Sequence, residues 1–146
     1  MKSTTPRSNC PISFSLDILG DKWILLILRD MMFKGKSSYN EFLQSEEKIA
    51  TNILADRLNI LESQNFVEKL VAGDKKSKFT YIPTKKSIDL VPVIIELAMW
   101  GSSNFPPGLD ADLIIEFESS RDETIKKYKA LARKRAEKQR KQSTAM

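Results

Sequence analysis

Residues 38 to 82 constrain this chain most. There a capped short helix, a helix with a leucine seam and a lysine-rich hairpin are expected in close succession. Ser38 and Glu41 have the S-x-x-E spacing in which each side chain satisfies the other's free backbone N–H at a helix start. The brief helix they open turns Tyr39, Phe42 and Leu43 inward. From Ile49 to Gln64, Leu54, Leu58 and Leu61 recur at i, i+4 and i+7, which defines one buried seam. Thr51, Asn52, Ala55, Asp56 and Asn59 occupy the opposite side, and all are short and polar, or small. Asn65 tolerates a left-handed backbone and is placed to end that helix. Phe66 to Val71 has the β-branched and aromatic content of a strand. Residues 72–78, with Gly73-Asp74 near their start, read as a hairpin loop, and Phe79 to Ile82 as the returning strand.

On the N-terminal side, Gly20 and Asp21 separate an apolar segment, Ile12 to Leu19, from a longer one, Lys22 to Phe33. This is the pattern of a helix-ending glycine followed by a new N-cap. In the second segment Trp23, Leu26, Ile27 and Asp30 share a stripe while Ile24, Leu25 and Leu28 fill the other side, so this helix is expected at the centre. On the C-terminal side, Thr84 is placed to cap a helix that runs to Trp100, kinks at Pro92 and stops at Gly101. Further on, Ser120 and Glu123 repeat the capping-box spacing. There Ile125, Tyr128, Leu131 and Ala132 form a stripe too thin to fold alone, which needs either the same body or a second subunit. At 146 residues one core is the expectation. The chain divides into a flexible N-terminal segment (1–9), a domain (10–101), a linker (102–108) and a basic helical extension (109–146) that contributes to dimerisation. The expected fold class is mainly α with a small β-hairpin.

The residue inventory removes whole classes of chemistry. With no histidine and a single cysteine, Cys10, the chain has neither the ligand clusters of zinc sites nor an intrachain disulfide, and no metal or cofactor is expected. No Gly-rich phosphate loop or G-x-S-x-G nucleophile accompanies the scattered carboxylates, so an enzyme is not expected. The polar stretch Met1 to Asn9 leads into no signal-length apolar run, and the run Trp23 to Leu28 stops at Arg29. The expected location is the cytoplasm, with no membrane partner. The net charge is +5, but residues 126–141 alone carry +8, leaving −3 for the rest. A basic helix face of that kind is more often solvated than functional, so the body of the chain has to supply the evidence for a polyanionic partner.

The body does supply it. A helix lying in the DNA major groove needs compact outward groups, since Asn pairs with the N6 and N7 atoms of adenine and Thr meets a base edge or a thymine methyl. The segment 50–64 presents such a face through Thr51, Asn52, Ala55, Asp56 and Asn59. Ser38 and Arg57 join them as candidate DNA contacts. For Arg57, a phosphate or base competes with a neighbouring carboxylate such as Glu41 or Glu62. Asp56 repels phosphates unless it accepts from cytosine or pairs internally. Lys75, Lys76 and Lys78 in the loop 72–78 set cations where a wing meets phosphates or the minor groove. Each feature alone is ordinary for a soluble surface; their immediate succession is what points to a winged helix-turn-helix on double-stranded DNA. The competing reading is a winged helix used for protein–protein contact.

On these residues the chain resembles the HxlR-type bacterial regulators, relatives of the MarR-like winged helices. The shared pattern comprises Cys10-Pro11, Leu16 to Gly20, Lys22-Trp23, Leu26 to Arg29, Phe42-Leu43, Leu54, Arg57-Leu58, Leu61-Glu62, Val67-Glu68, Tyr81, Thr84, Leu90, Pro92, Trp100 and Gly101. The resemblance implies a homodimeric transcriptional regulator that reads a pseudo-palindromic operator with helix and wing. It also implies a role for Cys10 in sensing oxidants or electrophiles, against the plainer reading of a small inert side chain. Three departures stand out. Ala50 replaces a capping residue, with Thr51 as a substitute cap; Asn65 replaces a glycine; and the basic segment extends past the pattern. On helix 88–100, apolar residues on both sides, together with Phe14, Leu16, Ile18 and the C-terminal stripe, lead to an expected isologous interface built from the two ends of the chain.

Overall fold

The computed structural model describes residues 7–72, 75–105 and 111–144, with the backbone alone at 72, 75–77, 111 and 144. Most of the expected N-terminal segment and the Pro106-Pro107 portion of the expected linker lie outside the described residues, as do Gly73 and Asp74.

Local signals account for the first four helices. Helix α1 (Pro11–Leu19) opens with proline in its first turn and ends at Gly20. Gly20 has an ordinary right-handed φ of −69°. It is needed for clearance, because a Cβ there would lie 2.5 Å from the Leu16 carbonyl oxygen. Asp21 then caps α2 (Lys22–Phe33), its carboxylate accepting from the N–H groups of Trp23 and Ile24. Helix α2 is the central helix, with Ile24, Ile27, Leu28, Met31 and Met32 all buried. Helix α3 (Tyr39–Leu43) carries the Ser38/Glu41 capping box in full. Helix α4 (Thr51–Ser63) buries Leu54, Leu58 and Leu61. At its start no side chain replaces the missing cap, so Thr51 does not substitute for Ala50 in that role. At its end Asn65 adopts φ +64°, while Phe66 N–H donates to Leu61 O and Asn65 N–H to Glu62 O, the paired bonds of a Schellman ending.

The hairpin is tighter than its sequence indicates. Strand β1 (Val67–Ala72) pairs antiparallel with β2 (Lys75–Pro83), and a register shift after Val71 brings Ala72 opposite Lys75. Lys75 and Lys76 therefore belong to the strand, a correction to the loop expected over residues 72–78. Residue 38 adds a short third line, since Ser38 bridges Thr80 and the Tyr81 N–H donates to Ser37 O at 2.7 Å. This bridge ties the entry to α3 to the base of the wing.

Past the hairpin, the single kinked helix expected from Thr84 to Trp100 is two helices, α5 (Lys85–Ile88) and α6 (Val91–Asn104). Pro92 lies in the first turn of α6, where its missing N–H costs nothing, and its ring excludes a helical carbonyl four residues earlier, at Ile88. Thr84 and Ser87 turn their hydroxyls back to the carbonyls of Asn65 and Phe66, pinning α5 to the junction of α4 and β1. Helix α6 continues through Gly101, so residues 102–104 of the expected linker are helical. Helix α7 (Ala111–Ser119) had no sequence signal, and it inserts Phe117 into the core. Helix α8 (Arg121–Thr144) lays its stripe on the chain's own body. Ala132 and Ala136 are buried, and the Tyr128 ring sits 5.0 Å from that of Phe33.

Candidate nucleic-acid interface

The helix-turn-helix consists of α3, the turn 44–50 and α4. A charged network anchors that turn to the central helix. Arg29 donates through Nη1 and Nη2 to the two Glu47 oxygens at 2.7 and 2.8 Å, and through Nε and Nη2 to Asp30 Oδ1 at 2.9 and 2.7 Å. The Ser45 hydroxyl adds a bond to Glu47 at 2.7 Å, and Lys36 stands 3.6 Å from the other oxygen of the buried Asp30. The hydrogen bonds from Arg29 hold the Glu47 carboxyl down at about 2, with the Ser45 hydroxyl assisting against partial burial. The sequence signal for this network was an Arg-Asp pair inside an otherwise apolar helix, but its partner in the turn had none. Within the turn Lys48 takes φ +56°, a left-handed conformation at a residue type that announces no turn.

Along α4, Thr51, Asn52, Ala55, Asp56 and Asn59 all face solvent, opposite the buried leucines. Arg57 is drawn aside. Its Nε donates to Asp21 Oδ2 at 2.9 Å and its Nη1 to Asp56 Oδ2 at 2.7 Å. Its carboxylate partners are thus Asp21 and Asp56, whereas Glu41 and Glu62 were the candidates anticipated. One guanidinium binds the N-cap of α2 to α4 and also offsets the Asp56 charge on the exposed face. A groove of about 840 Å³ opens beside these residues, between α1 and α4, with Ile24 and Ile60 among its lining.

The remaining candidates lie around this helix. The Ser38 hydroxyl is engaged in its capping box, and Glu41 receives the N–H groups of Ser37 and Ser38, which outweigh its partial burial and keep its pKa low. The Tyr39 hydroxyl donates to the Thr51 carbonyl at 3.0 Å, fixing the first turn of α4. Lys78 is exposed on β2, whereas Lys75 and Lys76 are placed by their backbone alone. In the wing, the Lys69 ammonium lies 3.9 Å from the centre of the Phe79 ring. Cys10 is exposed at the N-cap position of α1, and nearby Arg7 is occupied by Asp17 at 2.5 Å. Among the described residues no group of His, Cys, Asp or Glu could hold a metal ion, and no helix is long and apolar enough to cross a membrane.

Comparison with known proteins gives a consistent result. Residues 18–108 match the family model of the HxlR-like helix-turn-helix. The uncharacterized HTH-type transcriptional regulator YybR of Bacillus subtilis is 31% identical over 98 residues, covering 67% of this chain and 78% of its own. The HTH-type transcriptional regulator YodB of the same organism is 30% identical over 100 residues, covering 68% of this chain and 88% of its own. Among solved structures, the redox regulator HypR in its reduced form superimposes with a TM-score of 0.59 at 30% identity, covering 65% of this chain and 93% of HypR. The reduced form of YodB gives 0.55 at 29% identity, covering 70% of this chain and all of YodB. With its α3–α4 pair, its two-stranded wing and these relatives, which are regulators of transcription and not enzymes, the chain belongs to the HxlR-like helix-turn-helix family.

Proposed function

We propose that this DNA-binding regulator acts in the cytoplasm as a homodimer on a pseudo-palindromic operator, with α4 in the major groove and the wing on phosphates or in the minor groove. The observation that carries the reading is the outer face of α4. Thr51, Asn52, Ala55, Asp56 and Asn59 are exposed, and the one long side chain among them, Arg57, is tethered to carboxylates. A groove-reading helix needs that shape. Two symmetric copies would place their half-sites about 34–36 Å apart or a multiple of that. The dimer surface we assign to α1 and the outer side of α6, where Ile12, Phe14, Leu16, Val93, Leu97 and Trp100 remain exposed. Because the inner stripe of α8 lies on its own body, it is left out of that surface. Cys10 is the residue through which an oxidant or electrophile would act. HypR is known in reduced and oxidized forms and YodB in reduced and diamide-treated forms, which makes thiol chemistry a relevant signal to test here.

The test is a salt titration on a duplex selected from random sequence by the purified protein. If about six phosphates are neutralised, log affinity falls with log salt at a slope near −5. Replacing Lys75, Lys76 and Lys78 together flattens it. Asn52→Ala and Asn59→Ala change which duplexes are selected, at a cost of about 1–3 kcal/mol on the preferred site. A flat salt dependence in the wild type, or unaltered selection by both asparagine variants, would replace this reading with a winged helix that binds another protein.

A further inference from the structure

We propose that the exposed basic face of α8 is a second phosphate-binding surface, which continues the wing and holds the DNA backbone flanking the site read by α4. The inference rests on the DNA-binding reading above and extends it to residues 109–146, which lie outside the segment matched by the family model.

The position of α8 follows from its inward contacts, taken in order. Tyr128 meets Phe33 at the end of α2, and Arg135 Nη1 donates to the Met32 carbonyl at 3.2 Å. Arg140 Nη2 then reaches Glu68 Oε2 at 2.5 Å, near the start of β1, and the Ser143 hydroxyl donates to the Val71 carbonyl at 2.8 Å, near its outer end. The helix therefore leaves the core and runs beside the wing until its last turns are level with the outer part of the hairpin. A solvated tail would have no reason to be tied to the wing at both ends of one strand.

The far side of that helix is predominantly basic. Lys134, Lys138 and Lys141 fall at i, i+4 and i+7, opposite the inward residues Ala132, Arg135, Ala136 and Ser143, and all three are exposed. Between residues 133 and 141 Glu137 is the single carboxylate against six basic side chains. Like charges at i, i+4 destabilise a helix, and a face selected only for solubility mixes the signs. Lys134 and Lys138 are such a pair, sustained by the packing of the inner stripe, and a polyanion relieves their repulsion. Residues 134 to 141 span about 10 Å of helix rise, close to the axial rise of about three phosphates on one strand. The chemistry recognised is phosphodiester charge, without base identity.

The experiment compares full-length wild type with the Lys134→Gln/Lys138→Gln double variant on two duplexes, one with long flanks on either side of the selected site and one trimmed to the site itself. On the flanked duplex the slope of log affinity against log salt becomes shallower by about 2, since each lost phosphate contact is worth about 0.9. Sequence preference is unchanged, the two proteins behave alike on the trimmed duplex, and the thermal midpoint does not fall, since the variant also loses a like-charged pair. An unchanged slope on the flanked duplex, with a steep wild-type slope, overturns the inference and leaves the DNA-binding reading intact. A flat wild-type slope removes both.

Discussion

Glu47 connects the turn of the helix-turn-helix to the central helix through one guanidinium, and this arrangement predicts how stability depends on pH. Its carboxyl sits at about 2 in the folded protein against an ordinary 4.5, so the ionised form stabilises the fold at every pH above about 4.5. That contribution is lost as pH falls from there toward about 2. Glu47→Gln is expected to lower stability by about 1 kcal/mol at neutral pH, a figure reduced for the partial exposure of the pair. In urea melts at stepped pH the gap between wild type and variant narrows as pH falls from about 4.5 toward about 2; a gap of undiminished size at pH 2 would mean the loss has another cause. Cys10→Ser tests the opposite end of the chain. Diamide or a quinone should weaken operator binding by the wild type and leave the variant unaffected, whereas equal loss in both removes Cys10 from any sensing role. At this scale the outward residues of α4 were legible in the sequence, because one period of 3.6 separates Asn52 and Asn59 from the leucines. The partner of Arg57 was not legible. Asp21 is 36 residues away in the chain, and no local pattern records which of several carboxylates a long side chain will meet.

Among the elements, α8 is held where α2 ends, and Gly35 is the hinge of that contact. It takes φ +69°, and a Cβ there would lie 3.2 Å from the Arg135 guanidinium carbon. Gly35→Ala therefore strains the backbone and also displaces Arg135 from the Met32 carbonyl, and it should cost about 1–2 kcal/mol. Hydrogen exchange should show faster opening in the last turns of α8 and in β1, which Arg140 and Ser143 join. Unchanged protection there would mean that α8 and the wing open independently of this hinge. Element boundaries were readable where a local signal suffices, as at Gly20-Asp21, Ser38 with Glu41, and Asn65. They were misread where two outcomes share one signal. Pro92 opens a new helix and does not kink an old one, because its neighbours Asp89 and Leu90 form a turn between α5 and α6. The strand at Lys75 was hidden by the register shift after Val71, which depends on pairing and leaves no trace in composition. Helix α7 was missed for a related reason. Its anchor, Phe117, is one aromatic among acidic neighbours and acquires meaning only from the core it enters.

At the scale of the whole molecule, the described residues leave apolar side chains of α6 and α1 largely exposed. On α6, Val91 and Ile95 are fully buried, while Val93, Leu97 and Trp100 at i, i+4 and i+7 are 44%, 49% and 60% exposed. Helix α1 adds Ile12 at 70% and Phe14 at 48% exposure, so both helices present side chains that water disfavours. A second copy using the same patch would cover them and set two α4 helices on one face of a duplex. Leu97→Glu combined with Trp100→Glu separates this from a purely structural role. Both side chains are already half solvated, so the monomer should lose no more than about 1 kcal/mol of stability. The wild type should sediment as a dimer and the double variant as a monomer. Affinity for a single half-site should be nearly the same in both, while affinity for the paired site falls by a factor of about 100 or more, because the second half-site is no longer delivered at high effective concentration. A variant that still sediments as a dimer would move the interface elsewhere. A wild type that is already monomeric at the concentrations where it selects DNA would require each α4 to find its half-site alone, and the pseudo-palindrome would then have no physical origin in this chain.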